Sequence, residues 1–261
     1  MAMERATLYA IPGSHACMSA VLMLEHEGVD FRRVDLFTGL HPLLVRAKGF
    51  AGHRTPIRQV DGRTHRMLAM LDRGGTVPAL LMSGERIQTN HDIARFLDRM
   101  SAQPALFPAN PDARIEVEAA EAWGDEIFQM AARRIALAAA AHGLDAFHDR
   151  GNHGRLGPLL APRERVRMMA SLGARVSFRA HPSNEGEMLG ALPAMLDRID
   201  AWIADGVLGG EQLNVADFMI VPSLALISYR LDLRSGIESR PAGALLERLL
   251  PERPAHDRGS R

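Results

Sequence analysis

The sequence predicts an α+β protein in which a βαβ unit and a ββα unit are followed by an all-helical region. Three observations predict it. Short β-branched and aromatic runs alternate with helical periodicity through the first hundred residues. Pro78 stands at the head of one strand-like run. After the proline-rich stretch Phe107-Pro108-Ala109-Asn110-Pro111, the chain turns to long Ala-, Arg- and Glu-rich runs without strand alternation. The expected division is a first domain over 1–102 with an insertion at 37–75, a linker at 103–112, an all-α domain over 113–250 and a polar tail at 251–261.

Each element has its own signal. Ala6 to Ile11 reads as a strand, and Pro12-Gly13-Ser14 turns the chain. Ser14 is an N-cap candidate for a helix from His15 to Glu27, closed by Gly28. Val29 to Leu36 alternates as a second strand. Phe37 to Gly75 is long for a connection, so helical pieces are expected inside it, at Pro42 to Lys48 and Thr64 to Arg73. Val77 to Met82 and Glu85 to Gln88 flank Ser83-Gly84 and make a hairpin, after which Thr89 or Asn90 caps a helix from Asp92 to Met100. In the second half, helices are expected over Ala113 to Ala141, Arg163 to Arg179 and Leu192 to Asp205, with a loop from Gly143 to Pro162. Asn214 and Asp217 have the spacing of a capping box, with Leu213 and Phe218 at the staple positions.

Composition excludes several classes. Among 261 residues, Lys+Arg 31 balance Asp+Glu 31, so no global basic field collects phosphate backbones and nucleic acid is not an expected partner. The single cysteine, Cys17, supports neither an internal disulfide nor a thiolate metal cluster, and fits a reduced, cytoplasmic setting. No run approaches the ~18 apolar residues of a membrane span, and the first residues lack a leader pattern, so no membrane association is expected. Lys48 is the only lysine available for Schiff-base chemistry. His142, His148 and His153 lack a ligand spacing, so no metal is expected, and no glycine-rich phosphate loop occurs.

The run Leu8-Tyr9 to Ser14, the helix through Leu24-Glu25-His26-Glu27-Gly28, Val77-Pro78-Ala79-Leu80, Ile93-Ala94-Arg95-Phe96-Leu97 and Leu213 to Phe218 together resemble the glutathione transferase superfamily. The resemblance implies a thioredoxin-like first domain, a cis proline at Pro78, a helical-bundle second domain and a homodimer. It implies an enzyme that activates glutathione or another low-molecular-weight thiol, as co-substrate, for addition to or isomerisation of a small electrophile. By the same resemblance, Ser14 is the catalytic hydroxyl. Val77 and Pro78 with Thr89 and Asn90 hold the thiol, and His15, Trp123, Gln129 and Arg133 line the electrophile side.

The residues have readings of their own. Holding a thiol as thiolate near neutrality needs a shift of about two pKa units, or ~2.7 kcal/mol. A hydrogen bond to charged sulfur supplies ~1.5–3 kcal/mol and a helix N-terminus ~0.3–1 kcal/mol, so Ser14 at such an end suffices. Ser14 can equally serve as a cap alone. Cys17, one turn inside the helix, reads as a small buried hydrophobe, and His15 as a surface or cleft-mouth residue. Ala122, Glu126, Gln129 and Arg133 form a polar stripe, with Trp123 beside it. Where the superfamily has Glu-Ser ahead of its Ile-x-x-Tyr-Leu helix, this chain has Thr89-Asn90, and neither side chain offers a negative charge to an ammonium group. That departure motivates a second reading, a non-catalytic ligand-binding or accessory protein on the same fold. The arginines at 54, 58, 63, 66 and 73 read either as an Arg-rich solvated loop or as a basic lid within the insertion that recognises an anionic ligand.

Overall fold

A computed structural model describes residues 6–52, 59–60, 63–64, 76–101, 106–142, 154–156, 180 and 182–252. β1 (Ala6–Ala10), α1 (His15–His26) and β2 (Phe31–Asp35) form the βαβ unit, and α2 (His41–Ala47) follows. A short hairpin, β3 (Gln59–Val60) and β4 (Arg63–Thr64), makes a separate two-stranded sheet. β5 (Ala79–Met82), β6 (Glu85–Gln88) and α3 (Asn90–Met100) complete the first domain. The main sheet runs β2-β1-β5-β6, with β1 parallel to β2 and antiparallel to β5.

Period-2 alternation divides the side chains of this sheet between two cores. Leu8 and Leu80 join the cluster that continues through α1 and α3 into the helical half, while Tyr9 and Ala79 join a smaller one with Cys17, Leu36, Val45, Phe50 and Val77. Tyr9 meets Phe50 edge to face at 5.7 Å.

The helical half begins with α4 (Pro111–Trp123), whose N-cap Asn110 accepts from the Asp112 and Ala113 amides. A π-helical turn at Gly124–Phe128 joins α4 to α5 (Gln129–His142). Then come α6 (Pro182–Ala204), α7 (Val215–Ser228), α8 (Leu231–Glu238) and α9 (Pro241–Leu249). Every residue of α7 is buried. A helix apolar on all sides has to be central, and α1, α4, α5, α8 and α9 all pack on α7. Its start is the expected capping box. Asn214 Oδ1 accepts the Ala216 amide at 2.9 Å, and the buried Asp217 accepts the Asn214 and Gly209 amides at 2.9 and 2.8 Å.

The two halves are fastened at the linker. Phe107 is buried between the guanidinium groups of Arg95 and Arg114, 4.8 and 4.5 Å from its ring centre. Arg95 also donates to the buried Glu121, and Arg114 to Asp98 at 3.3 Å.

Several expectations change in detail. The long helix from Ala113 is interrupted by the π-turn, an event invisible to a 3.6-residue pattern. The helix expected from Leu192 starts at Pro182, because Pro193 lies inside it rather than heading it. Thr64 sits in β4, not at a helix start. The helix at Arg163 to Arg179, the lid arginines at 54, 58, 66 and 73, and the tail beyond Glu252 lie outside the described residues, as does the structure from 143 to 153.

Candidate functional site

β1 delivers the chain to a tight turn in which Gly13 takes a φ of 69°, a left-handed conformation that favours glycine. Ser14 then enters α1 as its N-cap, extended at φ −78° and ψ 116°. Its Oγ accepts the Cys17 amide proton at 3.2 Å. A hydroxyl that accepts through a lone pair keeps its own proton to donate. The partly exposed Ser14 therefore presents an O–H donor at the positive end of α1.

Antiparallel pairing sets Tyr9 of β1 against Ala79 of β5. The residues just before β5, Val77 and Pro78, therefore run beside those that lead from β1 towards Ser14. The Val77–Pro78 peptide is cis. Val77 shares its apolar cluster with Cys17 and Ala10. Among the described residues, the Val77 amide N–H has no hydrogen-bond partner, and its carbonyl accepts only from the Thr76 hydroxyl at 3.5 Å. This backbone can pair with an extended ligand.

His15 departs from its expected place at the surface. It is 4% exposed, and its Nε2 is buried with no partner among the described residues. Burial drives its imidazole well below the ordinary histidine range, the Arg133 guanidinium pushes it further down, and the Gln129 backbone opposes them. The cause is a contact across the domain seam, where the start of α1 meets the start of α5, which no local pattern reports. The structure thus brings His15, Gln129 and Arg133 together one residue from Ser14. Gln129 accepts from Arg133 at 3.1 Å and donates to Asp125 at 3.4 Å, a polar string along the π-turn and α5.

Trp123 is not in that group. Its ring stacks on Phe128 at 5.1 Å, meets Trp202 edge-on at 5.2 Å and lies under Arg198. It is a core residue of the helical half, because the extra residue of the π-turn shifts the facing of side chains across it. Ala122 and Glu126, from the same expected stripe, face solvent.

Thr89 and Asn90 are each tied into the structure through one side-chain atom. Thr89, at φ 71°, caps α3 by accepting the Asp92 amide at 3.2 Å. Asn90 is buried, and its Nδ2 donates to the Ala16 carbonyl of α1 at 2.9 Å. The Asn90 Nδ2 ties α3 to α1, while its buried Oδ1 has no partner among the described residues. Cys17 is fully buried. Burial pushes its thiol above the usual range, while the Ser14 hydroxyl pulls it back.

Sequence reasoning missed Gln88. Its Oε1 accepts the Gly52 amide at 2.9 Å and its Nε2 donates to the Thr76 carbonyl at 3.0 Å. The available signal was a polar residue one step after inward-facing Ile87 at a strand end. Among the described residues, no group of three or more His, Cys, Asp or Glu could hold a metal ion, and no helix is long and apolar enough to cross a membrane.

No family model and no curated protein matches the sequence. Solved structures do match in fold. A glutathione S-transferase of Ceriporiopsis subvermispora, in complex with glutathione, aligns at a TM-score of 0.61 and 18% identity, over 94% of this chain and 98% of that one. Glutathione transferase GSTFuA3 from Phanerochaete chrysosporium aligns at 0.63 and 15%, over 95% and 97%. Beta-etherase LigF from Sphingobium sp. strain SYK-6 aligns at 0.60 and 15%, over 97% of each chain. At these identities the shared property is the fold: a thioredoxin-like domain followed by a helical one.

Proposed function

From the premise that the chain has the glutathione transferase fold, we propose that it is a glutathione-transferase-like enzyme that activates glutathione, or another low-molecular-weight thiol, at Ser14. The observation that carries this reading is the Ser14 hydroxyl. It accepts from the Cys17 amide at 3.2 Å and keeps its own proton at the start of α1. The Val77 backbone supports it, because its N–H, without a partner among the described residues, suits an extended peptide thiol. The thiol gives its proton to solvent, and the resulting sulfur anion accepts a hydrogen bond from Ser14. The sulfur then forms a bond to an electrophilic carbon, and the displaced group leaves with its bonding pair. For an addition, the neighbouring atom takes up a proton instead. This reading assigns Gln129 and Arg133, which lie beside the buried His15 next to Ser14, to the electrophile side. The chain works as a cytoplasmic homodimer in this reading.

Calorimetric titration with glutathione and with other small thiols tests the proposal, alongside turnover of a chromogenic electrophile. Saturable thiol binding with turnover supports it. Absence of binding to any thiol overturns the enzyme reading and favours the accessory-protein one, for which the departure at Thr89-Asn90 is the specific observation.

A further inference from the structure

Two buried polar side chains converge on the first turn of α1, and each keeps one polar atom unmet. Asn90 of α3 is 3% exposed, and its Nδ2 donates to the Ala16 carbonyl at 2.9 Å, while its Oδ1 has no partner among the described residues. His15, the chain neighbour of Ala16, is 4% exposed. Its ring lies against the Gln129 backbone of α5, and its Nε2 also lacks a partner among the described residues. Six buried side-chain atoms are unmet in this way among the described residues, and two of them belong to the groups on this one turn. An unmet buried polar atom is costly, and an apolar side chain of similar size would fill either place without that cost. Packing alone therefore does not account for the pair.

The turn they hold is the one that carries Ser14. Ser14 caps α1 just ahead of His15 and Ala16, and its Oγ is tied to the Cys17 amide just beyond them. Any shift of the turn carries the hydroxyl with it. We infer that Asn90 and His15 are positioning residues, which fix the aim of the Ser14 hydroxyl by holding the first turn of α1 to α3 and to α5. The inference rests on the thiol reading above and deepens it. It gives Asn90 a role other than the direct thiol contact that the resemblance implies, because Asn90 then acts on the thiol through Ser14. A hydrogen bond weakens steeply as its angle closes, so the loss of either tie is felt first at the sulfur.

A double-substitution cycle on the full chain tests this. Calorimetry reads thiol affinity, thiolate ultraviolet absorbance reads the pKa of the bound thiol, and circular dichroism melting confirms folding. Asn90→Ala and His15→Leu are each expected to lower turnover about tenfold and to move the pKa of the bound thiol up towards that of the free thiol. In a Ser14→Ala background, which has no hydroxyl to aim, neither substitution is expected to lower turnover further. Asn90→Leu keeps the size of the side chain and removes the donor, and it serves where Asn90→Ala melts too low to assay. Losses that persist in full in the Ser14→Ala background overturn the inference and make the two residues ligand contacts in their own right. Turnover indifferent to both substitutions overturns it as well, as does a fall that follows the melting temperature with the thiol pKa unmoved. A wild-type chain that binds no thiol overturns the inference and the enzyme reading together. Thiol binding and turnover intact in wild type, with any of the other contrary results, overturn the inference alone.

Discussion

Ser14 accepts the Cys17 amide proton, and in the proposed reading it has a second, separable duty as donor of its own proton to the thiol sulfur. Ser14→Ala removes both: helix capping worth about 1 kcal/mol, and turnover with the thiol, by roughly ten- to a hundredfold for a charge-assisted hydrogen bond. Ser14→Asp keeps a cap acceptor but offers no proton to the sulfur, so its melting temperature should stay near wild type while turnover falls as in Ser14→Ala. Full turnover in Ser14→Asp would leave Ser14 a cap. His15 makes a pH prediction. Its folded pKa lies well below 6.5, so below that value the unfolded chain binds a proton that the folded chain refuses. Stability is therefore complete above about pH 6.5 and is lost as pH falls, with a slope of up to about 1.4 kcal/mol per unit. Comparing melting curves of wild type and His15→Gln between pH 7 and 5 isolates this contribution, because the glutamine variant should lack the slope.

The π-turn is held at Gly124, where a Cβ would lie 2.9 Å from Ile220 Cγ1 and 3.3 Å from Met219 Cβ of α7. Gly124→Ala is expected to cost about 1–3 kcal/mol, read as a lower melting temperature. Because the turn sets the facing of Gln129 and Arg133, the Michaelis constant for the electrophile should rise more than that for the thiol. Most elements were legible in the sequence, since strand alternation, Ser14, the turn at Ser83-Gly84 and the box at Asn214 and Asp217 are local signals. Of the candidate site, the helix start at Ser14 and the strand-leading proline at Val77-Pro78 were legible as local features, marked by a turn and a proline. It was not legible at Trp123 or His15. One side chain is redirected by a π-turn that leaves no periodic trace, and the other is buried by a helix more than a hundred residues away in the chain.

Across the whole molecule, one apolar cluster runs from Leu8 of the sheet to Leu246 of α9, so the two halves are expected to melt in a single transition. The linker fastening at Phe107 works in the same direction. Calorimetry showing two separated transitions would contradict that coupling. The Gln88 side chain, which holds Gly52 with one end and Thr76 with the other, bears on how this architecture tolerates change. It works as a drawstring, closing the mouth of everything threaded between those residues whatever its length. The stretch 53–75 is in that sense an exchangeable cassette. Replacing it with a linker about a quarter as long should leave the four-stranded sheet folded, with closure entropy favouring the shorter loop by about 1 kcal/mol. In a Gln88→Leu background the same exchange should lose its neutrality, because the side chain that ties Gly52 to Thr76 is then gone.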